Sequence, residues 1–196
     1  MSAPINPEDI YEKAEVPSGR LAMWWFLSSE VCVFGGLLAV FVMLRLKNPI
    51  WEESAAKTLT VIGTINTLLL LTSSLFIVLA HHYAEKAMKD IKFKEHASYY
   101  LGLAIFLGFC FLGFKSFEYY NELSHGVTPL TNLFWSFYFF ITGLHGFHVL
   151  IGIFINLWVW KDVKQGVNLQ RVEIAGLYWH FVDVVWIFVF PLFYVA

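Results

Sequence analysis

The chain is 196 residues long, 58% hydrophobic and 19% aromatic, with only 14% charged residues and a net charge of −2. Soluble domains carry about 25% charged residues, so this deficit, with a mean hydropathy of +0.62, marks an integral membrane protein. With a net charge of −2, no basic surface suggests nucleic acid.

Residues 1–19 form an expected N-terminal tail: Glu8, Asp9, Glu12 and Glu15 stand there among prolines, which is unlike the basic start of a cleaved signal. Five apolar runs follow, at 21–46, 58–80, 98–120, 133–160 and 172–195. Each meets the need for about 20 apolar residues per span. Backbone groups in lipid must bond within their own segment, so the runs are helices and the class is an all-α polytopic bundle over 20–196.

The first span begins at Arg20 with Trp24 and Trp25, a combination suited to a lipid headgroup, and holds Glu30 near its midpoint. The second holds Asn66 near its midpoint, with Thr67, Ser73 and Ser74 along it. A connection of about fifteen residues, 81–96, is rich in lysine and carries His81, His82 and His96, a solvated loop or a proton-collecting surface. The third span lacks an ionisable group at mid-depth; Lys115, near its outer end, is expected to snorkel to the interface and to pair with Glu118 one turn on. The fourth carries His145 and His148 on one side, and the fifth carries His180 and Asp183. Cys32 and Cys110 sit singly in apolar runs and read as small core residues. Gly35, Ala39, Ala104, Gly108, Gly143 and Gly152 are candidates for close helix approach.

Lysine and arginine set the expected orientation. With the N-terminus in the cytoplasm, the inner segments carry nine such residues and the outer ones three, so the C-terminus lies outside.

A carboxylate at the bilayer centre costs about 2.5–3.5 kcal/mol on insertion scales. Glu30, Asn66, His145, His148, His180 and Asp183 all fall near mid-depth, so they read as one buried polar layer. Interhelical hydrogen bonding is the favoured role because the layer is a belt and not a ladder across the membrane. A proton or ion pathway is the alternative. Ligation of a b-type haem by His148 and His180 is another. No third ligand has metal-site spacing, and no catalytic triad or nucleotide loop appears.

These residues resemble subunit III of the haem-copper respiratory oxidases, the cytochrome c oxidase subunit 3 family, in its short five-helix bacterial form. The resemblance is carried by Trp24 to Glu30, by Asn66-Thr67 through Thr72-Ser73-Ser74, by Ala80-His81-His82 and by Phe117-Glu118-Tyr119-Tyr120. It continues through Thr142-Gly143-Leu144-His145-Gly146-Phe147-His148 and through Glu173 with Tyr178-Trp179-His180-Phe181-Val182-Asp183-Val184-Val185-Trp186. It implies an accessory subunit of a proton-pumping oxidase in the bacterial cytoplasmic membrane, with no catalytic residue and no redox centre of its own. Haem and copper then belong to the partner subunit I, with further oxidase subunits and bound phospholipid as other partners. It also implies structural histidines, support of proton uptake, and Glu30 as the family's carbodiimide-reactive carboxyl. The helix pair that forms one wall of the lipid cleft in longer members is missing. The Ser-Ser-Glu30 form and Glu173 lean towards cytochrome c as electron donor; a quinol oxidase or a nitric oxide reductase-associated homologue is the alternative.

Overall fold

The computed structural model describes residues 18–47, 51, 58 and 60–195; most of the expected N-terminal tail lies outside the described residues. Among the described residues five long helices follow one another: α1 (Ser18–Arg45), α2 (Thr60–Ala87), α3 (Lys94–Ser124), α4 (Leu133–Gln165) and α5 (Arg171–Tyr194). All are long and apolar enough to cross a membrane, and among the described residues there is no strand. α2, α3, α4 and α5 form a ring in which each packs on the next and α5 closes back on α2, while α1 lies outside the ring against α5 and more lightly against α4.

The long loop expected over 81–96 is mostly helix. α2 continues to Ala87, a 3-10 turn covers Ile91–Phe93, and α3 starts at Lys94. The 28 residues of α2 span roughly 42 Å at ~1.5 Å per residue, against a hydrocarbon core of about 30 Å. Its charged last turns therefore stand clear of the apolar layer while keeping their backbone hydrogen bonds.

Local chemistry fixes the helix ends. Asn132 caps α4 by accepting from the Trp135 amide at 3.0 Å. Gly166 ends α4 in the left-handed region at φ 74°. There its amide donates to the Val163 carbonyl at 2.9 Å and the Val167 amide to the Asp162 carbonyl at 3.1 Å. The last carbonyls of α5 have no partner within their own helix, and neighbours supply one. Arg45 donates to the Leu192 carbonyl at 2.9 Å, and Thr58 and Thr60 donate to those of Phe193 and Tyr194 at 3.2 Å each.

Trp179 knits the ring together. Its indole fills the space above two glycines: a Cβ on Gly108 would stand 2.7 Å from the ring, and one on Gly152 would stand 2.9 Å from it. Its Nε1 donates to the Ser73 hydroxyl at 2.7 Å. One α5 side chain thus touches α2, α3 and α4.

α1 is held differently. Leu27, Phe34 and Phe41, seven residues apart, are its buried hydrophobic residues and make a narrow seam. Phe41 meets Phe193 at a centroid distance of 4.3 Å and Trp51 at 5.3 Å. Gly35 does not serve close helix approach, since a Cβ there meets nothing within 4 Å; Ala39 is exposed as well. Cys32, expected in the core, is also exposed. All three residues lie off the seam.

Gly152→Ala is expected to lower unfolding stability by about 1–3 kcal/mol through overpacking against Trp179, whereas Gly35→Ala leaves it unchanged or raised. Thermal unfolding in mild detergent checks the contrast, and equal effects of the two substitutions would contradict the packing described.

Candidate functional site

The expected mid-depth residues divide into separate groups. The first lies where α1 crosses α4 and α5. Tyr178 donates its hydroxyl to the His148 carbonyl at 3.1 Å, and the same oxygen stands 3.1 Å from His148 Nδ1. With the phenol proton committed to the carbonyl, Nδ1 carries its own proton and donates to the phenol oxygen. A neutral imidazole then presents a bare Nε2, which faces Glu30 Oε2 at 3.6 Å. The two groups lie within ion-pair range but beyond hydrogen-bond distance. Phe34 covers His148 edge-on at 5.4 Å and Phe26 stacks on Tyr178 at 6.1 Å. Glu30 retains 18% side-chain exposure, which leaves the carboxyl reachable from the lipid side.

The second group lies between α2 and α5. His180 Nδ1 is 2.7 Å from the Ser74 hydroxyl and 3.9 Å from Asp183 Oδ2. One turn along, Trp186 donates to the Thr67 hydroxyl at 2.9 Å, and Thr67 donates to the Gly63 carbonyl at 2.9 Å. Asp183 is buried, and among the described residues its carboxyl makes no hydrogen bond of standard geometry; Ser74, close to it, is engaged with His180. The structure does not bring His148 and His180 together, because their rings are engaged by α1 with Tyr178 and by α2 respectively.

Asn66 and His145 are fully buried in the ring, without hydrogen-bond partners among the described residues. His145 lies against Trp186, at a centroid distance of 5.1 Å, and edge-on to Phe111 at 5.7 Å. Buried groups of this kind are ordinarily met by internal water. Among the described residues no group of three or more His, Cys, Asp or Glu is placed to hold a metal ion.

The third group is one that sequence reasoning saw only in part. Lys115 is buried and does not snorkel. It donates to Glu118 Oε2 at 3.0 Å, to the Tyr194 hydroxyl at 2.7 Å and to the Tyr138 hydroxyl at 3.3 Å. Tyr138 in turn donates to Glu118 Oε1 at 2.7 Å. The expected pairing of Lys115 with Glu118 is present, but its setting differs. The Lys115 ammonium turns into the bundle, where Tyr138 of α4 and Tyr194 of α5 enclose it and leave the side chain 7% exposed. The one signal in the sequence was a lysine and a glutamate three apart inside an apolar run; nothing linked them to Tyr138 or Tyr194.

The remaining candidates lie at helix ends. Arg20 is paired with Glu173 at 2.7 Å while Trp24 and Trp25 are exposed beside it. His81 lies 3.7 Å from Glu85, His82 is exposed, and His96 stacks on Tyr83 at 5.1 Å. The three histidines share one end of the bundle without forming a single site.

Residues 12–196 match the profile of the family described as Cytochrome c oxidase subunit III. The chain is 38% identical over 180 residues to Cytochrome c oxidase subunit 3 of Thermostichus vulcanus, covering 89% of this chain and 86% of the relative. It is 36% identical over 200 residues to Cytochrome c oxidase subunit 3 of Bacillus subtilis (strain 168), covering 97% and 91%. It is 32% identical over 184 residues to Probable quinol oxidase subunit 3 of Staphylococcus haemolyticus, covering 89% and 87%.

Removing the ammonium of Lys115 strands a buried carboxylate. Lys115→Met is expected to destabilise the protein by about 3–5 kcal/mol, and adding Glu118→Gln recovers part of that loss. Unfolding measurements on the single and double variants check this; a double variant as unstable as the sum of its parts would contradict the coupling.

Proposed function

The chain belongs to the cytochrome c oxidase subunit III family, and from that premise we propose that it is the accessory, non-redox subunit of a proton-pumping haem-copper terminal oxidase. In this reading it packs against subunit I, which holds the haem and copper, binds phospholipid, and supports proton uptake during turnover in the bacterial cytoplasmic membrane. The N-terminus faces the cytoplasm and the C-terminus the outside, as the distribution of lysine and arginine favours.

The observation that carries the reading is the family match across nearly the whole chain. The position of Glu30 at the rim of the bundle, 18% exposed beside His148, supports it, since a carboxyl there can be reached by a hydrophobic carbodiimide. Cytochrome c is the electron donor in this assignment, favoured by Glu30 and Glu173. A quinol donor is the second reading, supported by the likeness to a probable quinol oxidase subunit. Of the mid-depth polar groups, Glu30, His148 and His180 act here as interhelical contacts, and the group is not an autonomous ion pathway.

An affinity-tagged chain purified in mild detergent is expected to bring with it a haem-containing oxidase core, visible in a reduced-minus-oxidised spectrum. A chain that purifies alone, or that conducts protons in liposomes without partners, would overturn the proposal. Within that complex, Glu30→Gln is expected to leave assembly intact and to reduce labelling of this chain by a hydrophobic carbodiimide to background. Labelling that persists elsewhere on the chain would contradict the role given to Glu30.

A further inference from the structure

At the end of the bundle that carries the α2–α3 and α4–α5 connections, a cleft of about 330 Å³ opens between the first turns of α3 and the last turns of α4. Gly102 and Leu103 line its apolar part. The Trp160 indole forms a wall, held across the two helices because Nε1 donates to the Ser98 carbonyl at 2.9 Å. A Cβ on Gly102 would stand 3.4 Å from that nitrogen, so the absent side chain at 102 keeps the cleft open beside the ring. Tyr99 stands exposed in the lining, and Phe106, on the same helix face two turns further along, is exposed as well.

Two opposite charges face this cleft. The Lys164 ammonium sits 3.7 Å from the Trp160 ring centroid, while Lys94, outside the lining, donates to the Lys164 carbonyl at 3.4 Å. Glu95 lines the same cleft, and among the described residues its carboxylate forms no ion pair. A carboxylate and an ammonium left apart across one opening suit a ligand that carries both charges. An apolar track leading away from the pair suits a ligand with a hydrocarbon tail. A purely anionic headgroup would meet Glu95 unfavourably, and a quaternary ammonium has no N–H to donate to it.

We propose that the α3–α4 cleft binds a phospholipid whose headgroup carries a primary ammonium, the phosphatidylethanolamine class, with its phosphate at Lys164, its ammonium at Glu95, and an acyl chain along Gly102 and Phe106. The site is separate from Arg20, Trp24 and Trp25, and it involves none of the mid-depth polar residues. The proposal rests on the chain being a membrane subunit of an oxidase. Copurification tests that reading, and lipid binding is measured on the complex so obtained, so the two can fail separately.

The test is native mass spectrometry of the delipidated complex, titrated with dioleoyl phosphatidylethanolamine, phosphatidylglycerol or phosphatidylcholine. Wild type is expected to favour the ethanolamine lipid by about threefold over each of the others, the scale of one solvent-exposed charge pair. Glu95→Gln should abolish that preference, Lys164→Gln should weaken all three lipids together, and Gly102→Leu should block uptake of all three by filling the cleft. Equal uptake of the three lipids by wild type would overturn the proposal. So would a preference for phosphatidylglycerol that Glu95→Gln strengthens, which marks a simple basic surface. Unchanged binding in Gly102→Leu would place the lipid elsewhere, and a partner subunit filling the cleft would exclude it.

Discussion

In a bilayer two apolar helices gain little by exchanging lipid for one another, so association depends on close packing and on polar contacts between helices. The Trp179 indole supplies both at one place. It fills the notch made by Gly108 and Gly152 and hands its N–H to Ser73, which ties α5 to the other three members of the ring. The same helix repeats the device along its length: Tyr178 reaches α4, Trp186 reaches α2, and Tyr194 reaches Lys115 on α3. α5 is therefore the element around which the bundle is organised, and its high share of aromatic residues with a polar tip follows from that role.

The end of the bundle at Tyr194 is locked by a different balance. Burying Lys115 and Glu118 carries a desolvation penalty that one ion pair rarely offsets. Here the two tyrosine hydroxyls bring α4 and α5 into the pair, so the charged groups gain hydrogen bonds as well as each other. Arg45, Thr58 and Thr60 cap the final carbonyls of α5 nearby. α1 joins through that capping and its narrow aromatic seam. Its opposite face, with Gly35, Gly36 and Val33, stays exposed. A helix so lightly attached to its own chain leaves the Glu30–His148 pair at the rim of the bundle and not at its centre.

Much of this was legible in the sequence because hydropathy reports where lipid lies. It marked five spans and the acids that needed company. It could not report where a helix stops, since the backbone hydrogen bonds of α2 continue to Ala87 after the apolar residues end. That is why an expected loop proved to be helix. Which neighbour each helix face meets was not readable: Glu30 faces His148, whereas His148 and His180 face different helices. The Lys115 group was legible only in part because its further partners come from positions 138 and 194, a constellation that only the packing of three helices creates.

The account stands on the indole of Trp179 acting as an interhelical donor as well as a filler. A double-mutant cycle combining Ser73→Ala with Trp179→Phe, read by unfolding in mild detergent, measures that directly. The predicted result is a coupling energy of about 0.6 kcal/mol or more, the average for hydrogen bonds between membrane helices, with about 1.7 kcal/mol as the upper end. Effects that add to within about 0.3 kcal/mol would show that the two residues do not meet, and would contradict the arrangement of the ring.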